Sequence, residues 1–156
     1  MSELHGPRQV VLVSCRHEGK DDIIAVAWHM PTSFKPPLYA ISIGLPRFSH
    51  DVIKNSGAFC VNFIADEQRE MVIKCGTSSG RNVDKFREFK IAKEECETIE
   101  CPKIKKVVGF LECRVVESVE TGDHTIFIGE VLKSNLQGHG KRIYHIDGTR
   151  FATVSD

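Results

Sequence analysis

VVGFLECRVVESVETGDHTIFIGEVL, residues 107–132, is the stretch that decides the fold. Val107, Gly109, Leu111, Cys113, Val115 and Val119 recur with period two, and Glu112, Arg114, Ser118 and Glu120 fall on the other face. That alternation marks a half-buried antiparallel strand. Thr121-Gly122-Asp123-His124 turns the chain, with Gly122 supplying the positive φ a tight hairpin needs. Thr125 to Leu132 then returns as a second strand. His124, a histidine able to donate or accept hydrogen bonds, stands where the hairpin tip enters an apolar strand. Two readings of it stand open: a ligand contact and a solvated turn residue.

Upstream, Gln9–Arg16 and Asp22–Trp28 read as a first hairpin across Glu18-Gly19-Lys20-Asp21. Leu38–Ile43 and Ala58–Ile64 read as further strands. Ser49–Asn55 reads as a short helix with Ser49 as N-cap and Gly57 beyond its end, and Asp66 caps a second helix through Lys74. His29–Pro37 reads as a loop, because Pro31, Pro36 and Pro37 oppose a strand interior. Residues 90–100 are charged with weak alternation and stay ambiguous, whereas 141–145 and 150–153 add short strands. Mostly antiparallel strands with two or three small helices suit a closed or partly open barrel.

The chain of 156 residues reads as one domain, 1–156, long enough for a substantial core. Its 21 basic and 21 acidic residues balance, with no long block of one sign, which disfavours a phosphate-neutralising nucleic-acid surface. No apolar stretch approaches the ~20 residues that cross a bilayer, and Met1 to Gly6 carries no secretory pattern. A soluble, cytoplasmic protein without membrane or nucleic-acid partners is expected. Six cysteines stand at 15, 60, 75, 96, 101 and 113, none in a Cys-x-x-Cys pair. Buried thiols act as small hydrophobes. The close pair Cys96 and Cys101 lacks the tighter spacing and histidine partners of a zinc site, so no metal is expected, and a thiol-redox role for that pair is an alternative.

Three polar segments adjoin the expected strands. In the first, His29 to Lys35, Thr32 and Ser33 offer hydroxyls beside Trp28, Met30, Pro31 and Phe34, a mixed surface suited to a planar ring. The second, Pro46-Arg47-Phe48-Ser49-His50, opens a helix, where unpaired amides and partial positive charge suit a phosphate. The third, Ser78-Ser79-Gly80-Arg81-Asn82-Val83-Asp84-Lys85-Phe86, combines hydroxyls, a glycine and two cations, but is no P-loop. A strand crossover, a plain cap and a solvated loop are the bland readings of the three. No hydrolase or dinucleotide-binding fingerprint is present.

Taken in order, residues 27–38, 56–62, 79–86 and 111–131 resemble the flavin reductase-like FMN-binding split-barrel family, which includes the flavoredoxins. The likeness covers roughly residues 7–155, and its most specific part is Gly122-Asp123-His124-Thr125 with the strand after it. The resemblance implies a mainly β fold with short helices, built on a six-stranded antiparallel Greek-key split barrel. It implies a homodimer with one FMN per subunit near the interface. The loop after Trp28, from His29 through Ser33, would line the flavin ring. Arg47 and Ser49, with Phe48 between them, and Ser79, Gly80 and Lys85 would surround the phosphate. Phe151 would be the C-terminal aromatic near the ring. His124 would lie beside the flavin as the catalytic candidate, orienting a nicotinamide or bonding the flavin or its phosphate. Where many reductases place Asn or Ser, this chain has His29-Met30, which leaves flavin contacts there to backbone groups. The implied activity is electron transfer from NADH or NADPH through FMN to free flavin, a metal ion or a partner protein. A non-enzymatic FMN carrier or flavin store is the alternative.

Overall fold

The computed structural model describes residues 4–154. A short strand, β1 (Arg8–Gln9), leads into β2 (Val11–His17), which turns through Glu18 and Gly19, both at positive φ, into β3 (Lys20–Val26). β4 (His29–Phe34) and β5 (Pro37–Gly44) follow, then helix α1 (Phe48–Ser56) and β6 (Ala58–Phe63). A 3-10 turn at Asp66–Gln68 opens α2 (Arg69–Thr77), and α3 (Lys85–Glu88) is a single turn. The small hairpin β7 (Lys93–Glu95) and β8 (Pro102–Ile104) precedes the long pair β9 (Gly109–Thr121) and β10 (His124–Leu136). β11 (Arg142–Asp147) then pairs with both β1 and β12 (Arg150–Val154) in a second sheet. Among the described residues no helix is long and apolar enough to cross a membrane.

Seven strands form one antiparallel sheet in the order β3-β2-β6-β9-β10-β5-β4. The sheet curls until β3 packs against β5 but does not close, which is the split of a split barrel. Its hairpin β9–β10 is the one the alternation of residues 107–132 predicts, turning at Gly122 with φ of 62°. Gly129 lets that hairpin press on β6, since a Cβ there would come within 2.8 Å of both Cys113 and Phe59.

The strand count exceeds the expected six because His29–Phe34 is a strand, not a loop. β4 lies at the sheet edge and pairs only with β5. An edge strand tolerates proline because one row of amides needs no partner, and a register shift falls between Pro31 and Ser33. Two cap assignments also change. Arg47 caps α1 in extended geometry and Ser49 lies inside the first turn, whereas Gly57 ends the helix as expected at φ of 71°. At α2, the Gln68 side chain accepts from the Ala65 amide, so Asp66 is not the cap.

Both faces of β2 are covered. Val11, Val13 and Cys15 join Ile41, Phe59 and Phe127 in one core, whereas Leu12 joins Ile23, Val72, Phe86 and Ile143 in another. Burial on both faces explains why the strand reads as a continuous apolar run rather than an alternating one. The same layering overturns one expectation for β9. Glu112 does leave the face of Leu111 and Cys113, but the β7–β8 hairpin covers that other face. Glu112 is fully buried, and its carboxylate takes the Glu97 and Thr98 amides, the Thr98 hydroxyl and the Lys103 ammonium at 3.2 Å. Beyond Arg114 the hairpin runs free of that cover, and Val119, expected on the apolar face, is exposed.

Candidate functional site

Three segments distant in sequence meet beside β3. Register pairs His124 with Gly44, and the Leu45 amide donates to the Asp123 carbonyl at 3.0 Å, so the β9–β10 turn is tied to the entry of α1. The loop after α2 brings Ser78, Ser79 and Gly80 to the same place, and β3 contributes Asp22 and Ile24. Together they enclose a cavity of about 500 Å³, a size ordinary for cofactor sites. A second cavity of about 320 Å³ shares Ala25, Arg47 and Gly76 with it and reaches Phe151.

The first turn of α1 faces the cavity. The leading amides of a helix have no intrahelical partner and carry partial positive charge. Ser49 reinforces them: its hydroxyl is buried, lines the cavity and has no hydrogen-bond partner. Phe48 lies between the Lys20 ammonium, 4.6 Å from its ring centroid, and the Arg81 guanidinium at 5.4 Å. Arg81 is bound to Asp51 at 2.6 Å and holds that carboxyl below its usual range. Gly80 admits close approach, because a Cβ would fall 2.3 Å from Asp22 Oδ1 and 2.6 Å from Phe48.

Below the cavity lies a buried ion pair. Lys85 Nζ donates to the carbonyls of Ile23 and Cys75 at 2.7 and 3.1 Å, and stands 3.7 Å from Asp22 Oδ1. Lys85 therefore lines the wall, but its protons are directed to protein oxygens rather than held out as a free cation. Burial pushes the Asp22 carboxyl above its usual range despite Lys85, and Asp22 Oδ1 has no hydrogen-bond partner.

At the rim, His124 Nδ1 lies 2.7 Å from Asp123 Oδ1, and this bond lowers the exposed Asp123 carboxyl. The Trp28 ring packs against the imidazole. Of the residues singled out in sequence, the first cavity gathers Arg47, Phe48, Ser49, Ser79, Gly80, Lys85 and His124. His29, Met30, Pro31, Thr32 and Ser33 do not line it, since they run along edge strand β4. His29 is committed within the protein: its Nε2 donates to the Gln9 carbonyl at 2.8 Å and its Nδ1 accepts from the Tyr39 hydroxyl at 2.7 Å. Burial lowers its pKa in keeping with a neutral ring. Asp22 was missed. The signal for Asp22 was a carboxylate opening the apolar run Ile23-Ile24-Ala25-Val26.

A family model described as flavin reductase like domain matches residues 4–154. A protein of unassigned function from Archaeoglobus fulgidus is 40% identical over 113 residues, covering 72% of this chain, and the chain spans 64% of that relative's length. An NADH:riboflavin 5'-phosphate oxidoreductase from Streptomyces pristinaespiralis is 27% identical over 129 residues, 83% of this chain and 70% of that protein. Among solved structures, an FMN-binding protein from Thermus thermophilus superposes with a TM-score of 0.90 at 22% identity, covering 98% of this chain and 89% of that one. The split barrel and the family match over residues 4–154 lead to one conclusion: the chain belongs to the flavin reductase like domain family.

Proposed function

We propose that this chain binds FMN in the paired cavities beside α1 and works as an oxidoreductase that takes electrons from NADH or NADPH. The carrying observation is the buried, unpartnered Ser49 hydroxyl in the first turn of α1. A phosphate with about two negative charges satisfies that hydroxyl and the free helix amides together. The residues fit the group: Arg47, Ser49 and Ser79 would hold the phosphate, and the bare Gly80 backbone lets Asp22 and Phe48 close against that loop. Asp22 suits the hydroxyls of a ribityl chain, because a carboxylate oxygen without a partner accepts from an alcohol. His124 and Trp28 at the rim, with Phe151 in the adjoining cavity, would flank the ring.

When bound, FMN would supply hydride- and electron-transfer chemistry. The chain's own part is placement. Lys85 offsets the charge of Asp22 beneath the cavity, Trp28 and Asp123 fix the imidazole of His124, and His124 Nε2 is left to position the incoming nicotinamide. Free flavin, a metal ion or a protein partner would receive the electrons. We further propose a cytoplasmic homodimer with FMN near its interface. Its support is β4, an unpaired sheet edge that exposes Met30 and Phe34 next to Trp28.

Purified protein should bind added FMN and turn yellow, and anaerobic NADH or NADPH should bleach it at a catalytic rate. Failure to bind FMN would overturn the reading. Binding without bleaching would leave a flavin carrier instead.

A further inference from the structure

The β7–β8 hairpin assembles a thiol cluster outside the flavin cavity. Glu95 pairs with Pro102 in register, so Cys96 and Cys101 stand directly opposite each other one step further along. The Cys96 amide donates to the Cys101 carbonyl at 2.9 Å, as that step requires. Residues so opposed have Cα atoms about 4.5–5.5 Å apart and side chains on one face. A disulfide spans about 4.4–6.8 Å between Cα atoms, so the two can be bridged with little backbone movement. Cys101 packs with Cys60 and Phe110, and Cys96 and Ile99 close over them. Every cysteine is a free thiol, and Cys96 is the one that is not buried.

The sulfurs differ in character. The Cys101 thiol donates to the Ser14 and Pro102 carbonyls at 3.2 and 3.3 Å and the Cys60 thiol to Asn62 Oδ1 at 3.9 Å. The neighbouring Cys101 and Cys60, with the charge of Lys103, draw the Cys96 thiol below its ordinary range against the opposing effects of burial and Glu112. Burial pushes Cys101 and Cys60 up, which keeps them protonated. Cys96 is thus the most readily ionised of the three thiols, with a protonated partner across the hairpin. Its position is rigid, because Glu112 binds the amides of Glu97 and Thr98 that follow it. A low-pKa, accessible thiolate beside a second thiol is the arrangement that oxidants select.

We propose that Cys96 and Cys101 form a hydroperoxide-responsive dithiol, with Cys96 as the attacking sulfur and Cys101 as the resolving one. The Cys96 thiolate attacks a peroxide oxygen: an S–O bond forms, the O–O bond breaks, and the alkoxide or hydroxide leaves and takes a proton from water. Sulfur is oxidised to a sulfenic acid and the peroxide is reduced. Cys101 sulfur then attacks the sulfenic sulfur. An S–S bond forms, the S–O bond breaks, and the departing hydroxide takes the Cys101 proton as water.

The test uses the full chain and a small molar excess of hydrogen peroxide at neutral pH, followed by alkylation and tryptic mass mapping. Cleavage after Lys93 and Lys103 releases both cysteines in one peptide, residues 94–103. That peptide should lose its two thiol hydrogens before any other cysteine reacts. In Cys101→Ser, Cys96 should instead be trapped by dimedone. In Cys96→Ser, both bridge and adduct should vanish while circular dichroism is unchanged. An unreacted 94–103 peptide, a cross-link from it to the Cys60 peptide, or oxidation spread evenly over the cysteines would overturn the proposal. The wild-type map decides even where a variant fails to fold.

Discussion

The indole of Trp28 lies against the imidazole of His124, with ring centroids 4.8 Å apart and planes tilted by 32°. Asp123 holds Nδ1 of the same imidazole. A ring packed on one side and hydrogen-bonded at one nitrogen has little freedom, and its remaining nitrogen presents a fixed direction to a ligand. That nitrogen faces Gly44, where an added Cβ would come within 3.6 Å.

The replacement His124→Ala should slow reduction of bound FMN by the nicotinamide about 100-fold, the loss typical of a mispositioned reactant. FMN affinity should change little. Trp28 is the sole tryptophan, so quenching of its fluorescence gives the affinity in the same samples. Anaerobic stopped-flow absorbance gives the rate. Equal rates in the two proteins would return His124 to the role of a turn residue.

The orphaned hydroxyl of Ser49 separates phosphate from ring. A hydrogen bond to a charged group contributes about 1.5–3 kcal/mol. Ser49→Ala should therefore weaken FMN by roughly 10- to 100-fold and leave riboflavin, which lacks the phosphate, unaffected. Calorimetric titration with both ligands makes the comparison. Equal losses for the two would place Ser49 away from the phosphate.

How legible these features were follows from which physics each one uses. The β9–β10 hairpin was readable because alternation and a glycine turn are local signals, and His124 sits at their junction. The Arg47–Ser49 and Ser79–Gly80 segments stood out in sequence for equally local reasons. That they share one cavity is a tertiary fact no local pattern carries. The edge strand His29–Phe34 was hidden by its prolines, because whether a proline is tolerated depends on an edge position that sequence does not reveal. That the face carrying Glu112 is covered was not legible, since the covering hairpin lies elsewhere in the chain. Lys85 read as a phosphate cation, but burial committed its protons to the carbonyls of Ile23 and Cys75.

That burial sets the outcome for Lys85. Its replacement leaves Asp22 and two carbonyls without their cation in a site that is about 3% exposed. Breaking a buried pair from one side costs about 3–5 kcal/mol. Lys85→Met should thus lower the urea midpoint in ligand-free protein. Unchanged stability with weaker FMN binding would show instead that Lys85 serves the phosphate directly.

Glu112 and Asp22 respond to acid with opposite sign. Burial alone would raise the Glu112 carboxyl, but hydrogen bonds from Thr98, the Glu97 amide and Lys103 outweigh it and hold Glu112 below its ordinary 4.5. The stability it contributes is complete above that value and drains as pH falls through the lower native one. Asp22, raised by burial, contributes nothing that acid removes; its protonation relieves a cost. Glu112→Gln keeps the shape and removes the charge, leaving buried Lys103 with only the partly exposed Glu94 at 4.0 Å. The variant should be less stable than wild type at pH 7 by about 3–5 kcal/mol. The gap should narrow as pH drops below 4.5, because the wild-type carboxylate is then protonated too. Urea unfolding of both proteins from pH 7 to pH 3, read as the difference at each pH, cancels the other carboxylates. A gap that stays constant through the acid range would mean that Glu112 holds the 96–101 turn through packing rather than charge.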